Sequence, residues 1–198
     1  MKPSDLLSNE HRVIEQVLNC LEKLADQATA SGRIDAASAG EVIDFFRNFA
    51  DRCHHGKEET HFFPAMEAKG FPRDGGPTGV MLYEHEQGRR LVSGMADAVA
   101  AAEDLSAAAR FAEHAHNYID MLREHIQKED HCLYSMANDA FTEDDQRRLL
   151  DAFAKTESEH MGTGVHERYI ELANALAQRF GVPLAAPSGE GHPHCCGH

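Results

Sequence analysis

A glutamate follows a histidine by four residues at His11/Glu15, His54/Glu58, His55/Glu59 and His125/Glu129, and the pairs that matter here are His54/Glu58 and His125/Glu129. On a helix this spacing brings both side chains to one face, one turn apart. Both pairs fall on stripes that are otherwise apolar, which predicts that they point into a core. A buried carboxylate needs a partner, because desolvating an uncompensated ion costs several kcal/mol. Metal cations would meet that need, and imidazole with carboxylate suits iron, manganese or zinc.

Two further apolar stripes each carry a lone histidine, His11 and His85, where the pattern requires an apolar residue. One imidazole from each of these helices would complete two nitrogen ligands per metal, while the two glutamates bridge the metals. A lone histidine on a stripe is more often an ordinary core residue. The coincidence of all six positions on four stripes is what favours a site.

Five helical stretches must position these residues. The first opens near Ser4 and ends at Ser31-Gly32, and the others cover about 36–68, 78–103, 105–140 and 142–180. The sequence therefore predicts an all-α fold, a four-helix up-down bundle plus an additional C-terminal fifth helix. We expect one helical domain over 1–182, with the core bundle at about 4–140 and the extra helix at about 142–180. Residues 183–198, which include HPHCCGH, read as a flexible tail.

Composition excludes several classes of function. The formal net charge is −14 and no basic run is present, which argues against a nucleic-acid partner. No apolar run approaches ~18 residues, so no membrane span is expected. Five cysteines without a C-x-x-C pair fit a reducing cytoplasm. A protein partner cannot be named from the sequence.

The stretches SNEHRVIEQVL, CHHGKEETHFFP, LYEHEQGRRL and REHIQKEDHCLY together resemble the hemerythrin-like, or HHE cation-binding, domain family over about residues 5–140. The resemblance implies a four-helix bundle with two non-haem iron ions bridged by oxo or hydroxo groups. Carried over motif by motif, the implied ligands are His11, His54, Glu58, His85, His125 and Glu129.

One local alternative stays open, because His55/Glu59 also has the ligand spacing. The parallel with HIQKED, in which His125 is followed by the apolar Ile126, favours His54 over His55.

The chain departs from the oxygen-carrying hemerythrins, which place two histidines one turn apart on the third helix. Here the neighbours of His85 at that spacing are Met81 and Arg89. One imidazole is then missing, which predicts a coordination position that is open or filled by water and speaks against simple oxygen carriage. The leading hypothesis is a centre that binds or senses dioxygen, nitric oxide or peroxide. The alternatives are catalase-like decomposition of hydrogen peroxide, iron donation for iron–sulfur cluster repair, and a purely structural helical protein.

Four more residues are candidates for an extra ligand or a neighbour of the site. Tyr118 lies two turns before His125, although a core tyrosine is the commoner case, and Met81 lies one turn before His85. His160 and His166 flank the Gly162/Gly164 break of the fifth helix. Either could replace the missing ligand if that helix folds over the site, although a surface position is the commoner case.

Overall fold

The structure, a computed structural model, describes residues 1–157 and 164–185. Within these ranges the chain is helical and contains no β-strand, which confirms the predicted all-α bundle with additional helical structure after it. The division into a domain of 1–182 and a tail stays a prediction. The HPHCCGH segment and His160 lie outside the described residues.

The first bundle helix, α1 (Pro3–Ser31), opens with a proline in its first turn. Proline suits this place because its fixed backbone angle is helical and its missing N–H would have no partner there. The helix ends at Gly32, which has a φ of 67° and takes the left-handed conformation that closes many helices. The inward face of α1 carries the predicted stripe of Leu7, His11 and Ile14.

The second bundle helix runs without a break over residues 36–68. It consists of α2 (Ala36–Phe45), two π-helical stretches (Phe46–His55 and Glu58–Phe62) and α3 (Phe63–Ala68). A π turn closes its backbone hydrogen bonds over five residues instead of four, so it holds an extra residue and rotates the helix face. Both π-helical stretches carry predicted site residues.

The third and fourth bundle helices are α4 (Pro77–Ala100) and the run over residues 107–140. The latter comprises α5 (Ala107–Lys128), a third π-helical stretch (Glu129–Leu133) and α6 (Tyr134–Ala140). Helix α5 packs against both α4 and α1. All three π-helical stretches of the described residues therefore coincide with predicted ligands.

In the predicted fifth-helix region the structure describes two helices, α7 (Glu143–Thr156) and α8 (Val165–Phe180). Thr142 caps α7 by accepting a hydrogen bond from the Asp145 backbone N–H at 3.2 Å. Gly164, with a φ of 83°, precedes α8, which packs along α1 and α2. Of the two glycines of the predicted break, Gly164 therefore lies at the start of a separate helix, and Gly162 lies outside the described residues.

The apolar core consists of two clusters. One contains Leu18, Phe46 and Phe111, and the other contains Phe62, Phe63 and Phe153. On each of the four bundle helices the buried histidines and glutamates lie near the boundary between the parts that contribute to the two clusters, so a polar layer crosses the bundle there. Among the described residues no helix is both long enough and apolar enough to cross a membrane.

Candidate metal centre

The six side chains predicted as ligands are all buried, with at most 1% of each exposed. They come from the four bundle helices, and the structure brings them together in the polar layer. The six residues are His11 on α1, His54 and Glu58 on the second bundle helix, His85 on α4, and His125 and Glu129 on the fourth.

Each of the two carboxylates stands between imidazoles of two different helices. The Oε2 atom of Glu129 lies 3.2 Å from Nε2 of His11 and 3.3 Å from Nε2 of His125. The Oε2 atom of Glu58 lies 3.6 Å from Nε2 of His54 and 3.5 Å from Nε2 of His85. Donors at about 2.1 Å from one ion and at right angles to each other are about 3 Å apart. The observed spacings resemble the edges of such a coordination shell.

A fifth imidazole belongs to the same cluster. His55 is buried, and its ring stacks on that of His85 with 3.8 Å between centroids. The sequence favoured His54 over His55, and the structure places His54 in the cluster and adds His55, because both point inward where the π-helical stretch ends. The expectation of a missing imidazole is corrected for the same reason. Glu59 points elsewhere, and its Oε1 lies 2.8 Å from Nδ1 of His85.

The donor atoms form two groups that could each hold an ion. One group is His55, Glu58, His85 and His125, and the other is His11, His54, Glu58 and Glu129; within each, the donor atoms lie within 4.8 Å of one another. Glu58 belongs to both groups. We call the first set of imidazoles the three-histidine group and the second the two-histidine group.

A carboxylate holds the outer nitrogen of every one of these imidazoles. Five contacts join Nδ1 to a carboxylate oxygen: His11 to Asp130 at 3.0 Å, His54 to Glu10 at 2.9 Å, His55 to Asp51 at 3.4 Å, His85 to Glu59 at 2.8 Å and His125 to Glu84 at 2.9 Å. This arrangement is typical of metal-binding histidines, because it fixes the ring and directs Nε2 to the metal. Sequence analysis missed these carboxylates, since most of the pairs join different helices.

Several inward atoms have no hydrogen-bond partner among the described residues. They are Nε2 of His54, Nε2 of His55, Oε2 of Glu58 and Oε1 of Glu129. Buried polar atoms are nearly always paired, so four orphans at one point require an explanation. Two cations between them would supply the partners. The donor set therefore fits a pair of metal ions.

In the metal-free centre, protons on the imidazoles compensate part of the negative charge of the carboxylates. Burial disfavours the charged imidazole of His11, but hydrogen bonds to Asp130 and Glu129 outweigh it and raise the pKa to about 10. Burial also opposes charge on His125, yet Glu129 and Glu84 raise its pKa to about 9. Protons on two imidazoles thus occupy part of the space where cations would lie.

The pKa values of the two central carboxylates, Glu58 and Glu129, are shifted in opposite directions. Burial and the neighbouring charge of Glu129 raise the pKa of Glu58 well above its ordinary value. Burial also opposes ionisation of Glu129, but the imidazoles of His125 and His11 outweigh it and hold the pKa of this carboxyl well below its ordinary value. Two buried carboxylates that face each other favour one shared proton. A metal pair would have to displace that proton and those on the imidazoles.

Cationic side chains surround the outer carboxylates. Lys57, which is completely buried, contacts Glu10, and Lys128 lies 2.5 Å from Glu84. Arg89 lies 2.8 Å from Asp51 and 2.6 Å from Glu59. Once the protons on the imidazoles and on Glu58 are displaced, the five outer and two central carboxylates carry seven negative charges against these three positive ones. Four uncompensated charges remain, which two divalent cations would neutralise.

The remaining candidates from the sequence lie at different distances from the centre. Tyr118 packs edge-on against Phe46 and lines a cavity of about 200 Å³ beside His55, so it belongs to the wall of that cavity. Met81 is buried in the apolar cluster with Tyr134. His166 reaches the site only indirectly, because its Nε2 lies 3.5 Å from Oε1 of Glu10.

Tyr134 is a residue at the centre that sequence analysis missed. Its hydroxyl donates to Oε1 of Glu58 at 2.7 Å and lies 3.5 Å from both Oε2 of Glu129 and Nε2 of His11. Its ring is nearly parallel to that of His11, at 5.6 Å between centroids. The regular α-helical spacing used on the sequence puts Tyr134 off the stripe, so that pattern gave no signal for it.

Comparison with known proteins agrees with this geometry. The family model described as the hemerythrin HHE cation binding domain matches residues 2–137. The match includes every residue of the two donor groups and ends before α7 and α8. Neither the comparison with curated proteins nor that with solved structures returned a match. The chain belongs to the hemerythrin HHE cation-binding domain family.

Proposed function

We propose that this chain binds a pair of non-haem iron ions in its polar layer and that dioxygen, nitric oxide or peroxide reacts at one of them. The observation that carries the proposal is the convergence of five imidazole Nε2 atoms and two carboxylates in two groups that share Glu58. Each imidazole is oriented by a carboxylate on its other nitrogen, which a purely structural histidine core would not need.

Two ions suit the centre better than one. A single ion could not use all seven donors, since an octahedral ion has six positions. It would also leave about half of the four uncompensated negative charges in a buried layer, where desolvated charge is costly. A shared carboxylate between two ions uses both oxygens of Glu58 and explains why this residue belongs to both groups.

The donor types support iron. Structural zinc is usually four-coordinate, and a set rich in imidazole with bridging carboxylates offers more donors than two zinc ions would need. Soft copper(I) would call for sulfur ligands, and Cys53, the nearest cysteine in sequence to a donor, contributes to neither of the two groups. Iron would supply a Lewis-acidic position and reversible electron transfer to a small ligand.

A small ligand would find open positions on an ion in the two-histidine group, because its four donors do not fill the six positions of an octahedral ion. Both groups offer four donors, but the two-histidine group has one imidazole fewer and one carboxylate more than the three-histidine group. The chain's own residues have separate tasks around the ion of the two-histidine group. His11, His54 and Glu129 would hold the ion, Glu58 would be shared between the two groups, and the flanking apolar clusters exclude bulk water.

Anaerobic loading with ferrous iron, followed by metal analysis, tests the proposal. We expect two irons per chain and a melting temperature above that of the chelator-treated protein, because ligands that bind the native state stabilise it. His55→Gln should lower the iron content. His116→Gln is the matched control, since that side chain is 45% exposed and pairs with Asp26. Fewer than one iron per wild-type chain, with no shift in melting, would refute the proposal.

The reaction of the loaded protein then separates binding from catalysis. Stopped-flow mixing with nitric oxide, dioxygen or hydrogen peroxide should change the absorption of the iron pair. A sensor or binder forms about one complex per centre and stops. An enzyme that decomposes peroxide continues to consume it over many turnovers without loss of iron.

A further inference from the structure

We propose that the phenol oxygen of Tyr134, once deprotonated, is a ligand of the ferric ion held by His11 and His54. This inference rests on the proposed function, and it concerns a residue that lies outside the two groups of histidine and carboxylate donors. Tyrosine phenolate is an established ligand of ferric iron in proteins.

The first support is distance. The Tyr134 oxygen lies 2.7 Å from Oε1 of Glu58 and 3.5 Å from both Oε2 of Glu129 and Nε2 of His11. The two 3.5 Å distances fall within the 3.2–3.6 Å seen between the imidazole and carboxylate donors and match neighbouring positions around one ion, and the 2.7 Å contact is a hydrogen bond that ligation would replace. A residue that only hydrogen-bonded to a bound ligand would lie farther from at least some of these donors.

The second support is the backbone that places Tyr134. In a regular α-helix, residues five apart point in directions about 140° apart. The π-helical stretch Glu129–Leu133 changes this, because the Tyr134 backbone N–H bonds to the carbonyl of Glu129, five residues earlier. The wider turn stacks Tyr134 above Glu129 on the inward face. The fourth bundle helix thus departs from α-helical geometry just before Tyr134, and this departure places the Tyr134 hydroxyl at the centre.

The third support is the asymmetry of the centre. Both groups have four donors, but the two-histidine group is the one with two carboxylates and only two imidazoles, and Tyr134 lies beside His11 on that side. The tyrosine is 2% exposed and fixed edge-on by Phe62, so its oxygen cannot turn to solvent. Tyr118, which is equally buried, instead lines the cavity beside the three-histidine group.

The chemistry of ligation balances simply. The O–H bond of the phenol breaks, an oxygen–iron bond forms, and the proton passes to bulk water without any change in oxidation state. The phenolate adds a fifth negative charge to the four already uncompensated, which favours ferric over ferrous iron. A small ligand at this ion must then compete with Tyr134, so the tyrosine limits access to the position.

Resonance Raman spectroscopy of the full-length ferric protein tests the inference. We expect a visible charge-transfer band that enhances phenolate ring vibrations, and these vibrations should shift when the protein contains ring-deuterated tyrosine. Tyr134→Phe should lose the band while keeping two irons per chain. It should also bind azide about tenfold or more tightly, since a coordination position becomes free. Tyr118→Phe, the matched buried tyrosine, should keep both the band and the wild-type azide affinity.

Two outcomes would overturn the inference alone. One is a wild-type protein with two irons and no tyrosine-dependent vibrations, a measurement that needs no variant to fold. The other is a Tyr134→Phe protein that keeps the wild-type band and azide affinity. Wild-type protein that takes up no iron would overturn the proposed function and this inference together.

Discussion

Lys57 offers the sharpest test of how the centre is stabilised. Its ammonium group is completely buried, contacts Glu10 and lies 2.5 Å from Glu157 at the end of α7. Burial works against its charge, but the carboxylate of Glu10 outweighs this effect and raises the pKa of Lys57. The Lys57→Met substitution keeps the aliphatic length and removes the cation.

The expected loss of unfolding free energy depends on which carboxylate loses its partner. Removing one partner of a buried ion pair costs about 3–5 kcal/mol, because the other charge stays buried without compensation. Glu10 would keep its contact with His54 at 2.9 Å and that with His166 at 3.5 Å, which places the expected loss near the lower end of that range. Glu157 matters less, since it is 32% exposed and water can solvate it.

Urea denaturation of the metal-free protein measures this loss. The slope of the unfolding free energy against urea concentration should be the same for wild type and variant, which checks two-state behaviour. Arg179→Met is the matched control. It breaks the exposed pair of Arg179 with Glu41, where both partners are at least 40% exposed, and should cost less than about 1 kcal/mol. Adding Glu10→Gln to Lys57→Met should recover part of the loss. A Lys57→Met protein as stable as the Arg179→Met control would refute the reasoning.

Three further predictions concern pH, ligands and the cavity. In the metal-free protein the pKa is about 10 for His11 and about 9 for His125, and both values exceed the unfolded value of about 6.5. The protonated imidazoles therefore stabilise the folded protein fully below pH ~6.5, and this contribution is lost as the pH rises to 9–10. Melting from pH 6 to 10 should show this loss, and iron-loaded protein should show less of it because the ions replace the protons. His55→Gln should weaken the three-histidine group, which chelator competition would detect as faster loss of one of two irons; equal loss of both would contradict the grouping. Gly88→Val should cost about 1–3 kcal/mol in urea denaturation, because even a Cβ there meets Met121 Cε at 3.1 Å; unchanged stability would show that the methionine moves aside.

Much of the fold could be predicted because apolar residues repeat with helical spacing along all four bundle helices. The same spacing identified His11 and His85, since a polar residue on a buried stripe is visible without any structure. Both inferences use only contacts within one helix. The fifth helix was predicted as one element with a break at its glycines, whereas the structure describes α7 and α8 as separate helices and gives Gly164 a left-handed backbone at the start of α8.

The parts that could not be predicted depend on contacts between helices. Glu84 holds His125 and Glu59 holds His85, and in each case the partner comes from a different helix. No spacing along the chain encodes such a pair. The role of Lys57 was also invisible, because a lysine beside Glu58 looks like a solvated helix residue until α1 and α7 are packed around it.

The π-helical stretches explain why strict α-helical spacing failed to predict some of the side chains that face the candidate metal centre. Each π turn holds one more residue than an α turn, so it shifts the inward face by about one position along the chain. On the second bundle helix this lets both His54 and His55 face the centre, whereas an α-helix would turn consecutive residues about 100° apart. On the fourth bundle helix it brings Tyr134 over Glu129. A π turn has poorer backbone hydrogen-bond geometry than an α turn, so it is stable only where surrounding contacts offset that cost. The contacts here are imidazole and carboxylate donors around a common point, so we infer that the departures from α-helical geometry and the capacity to hold ions have one structural origin.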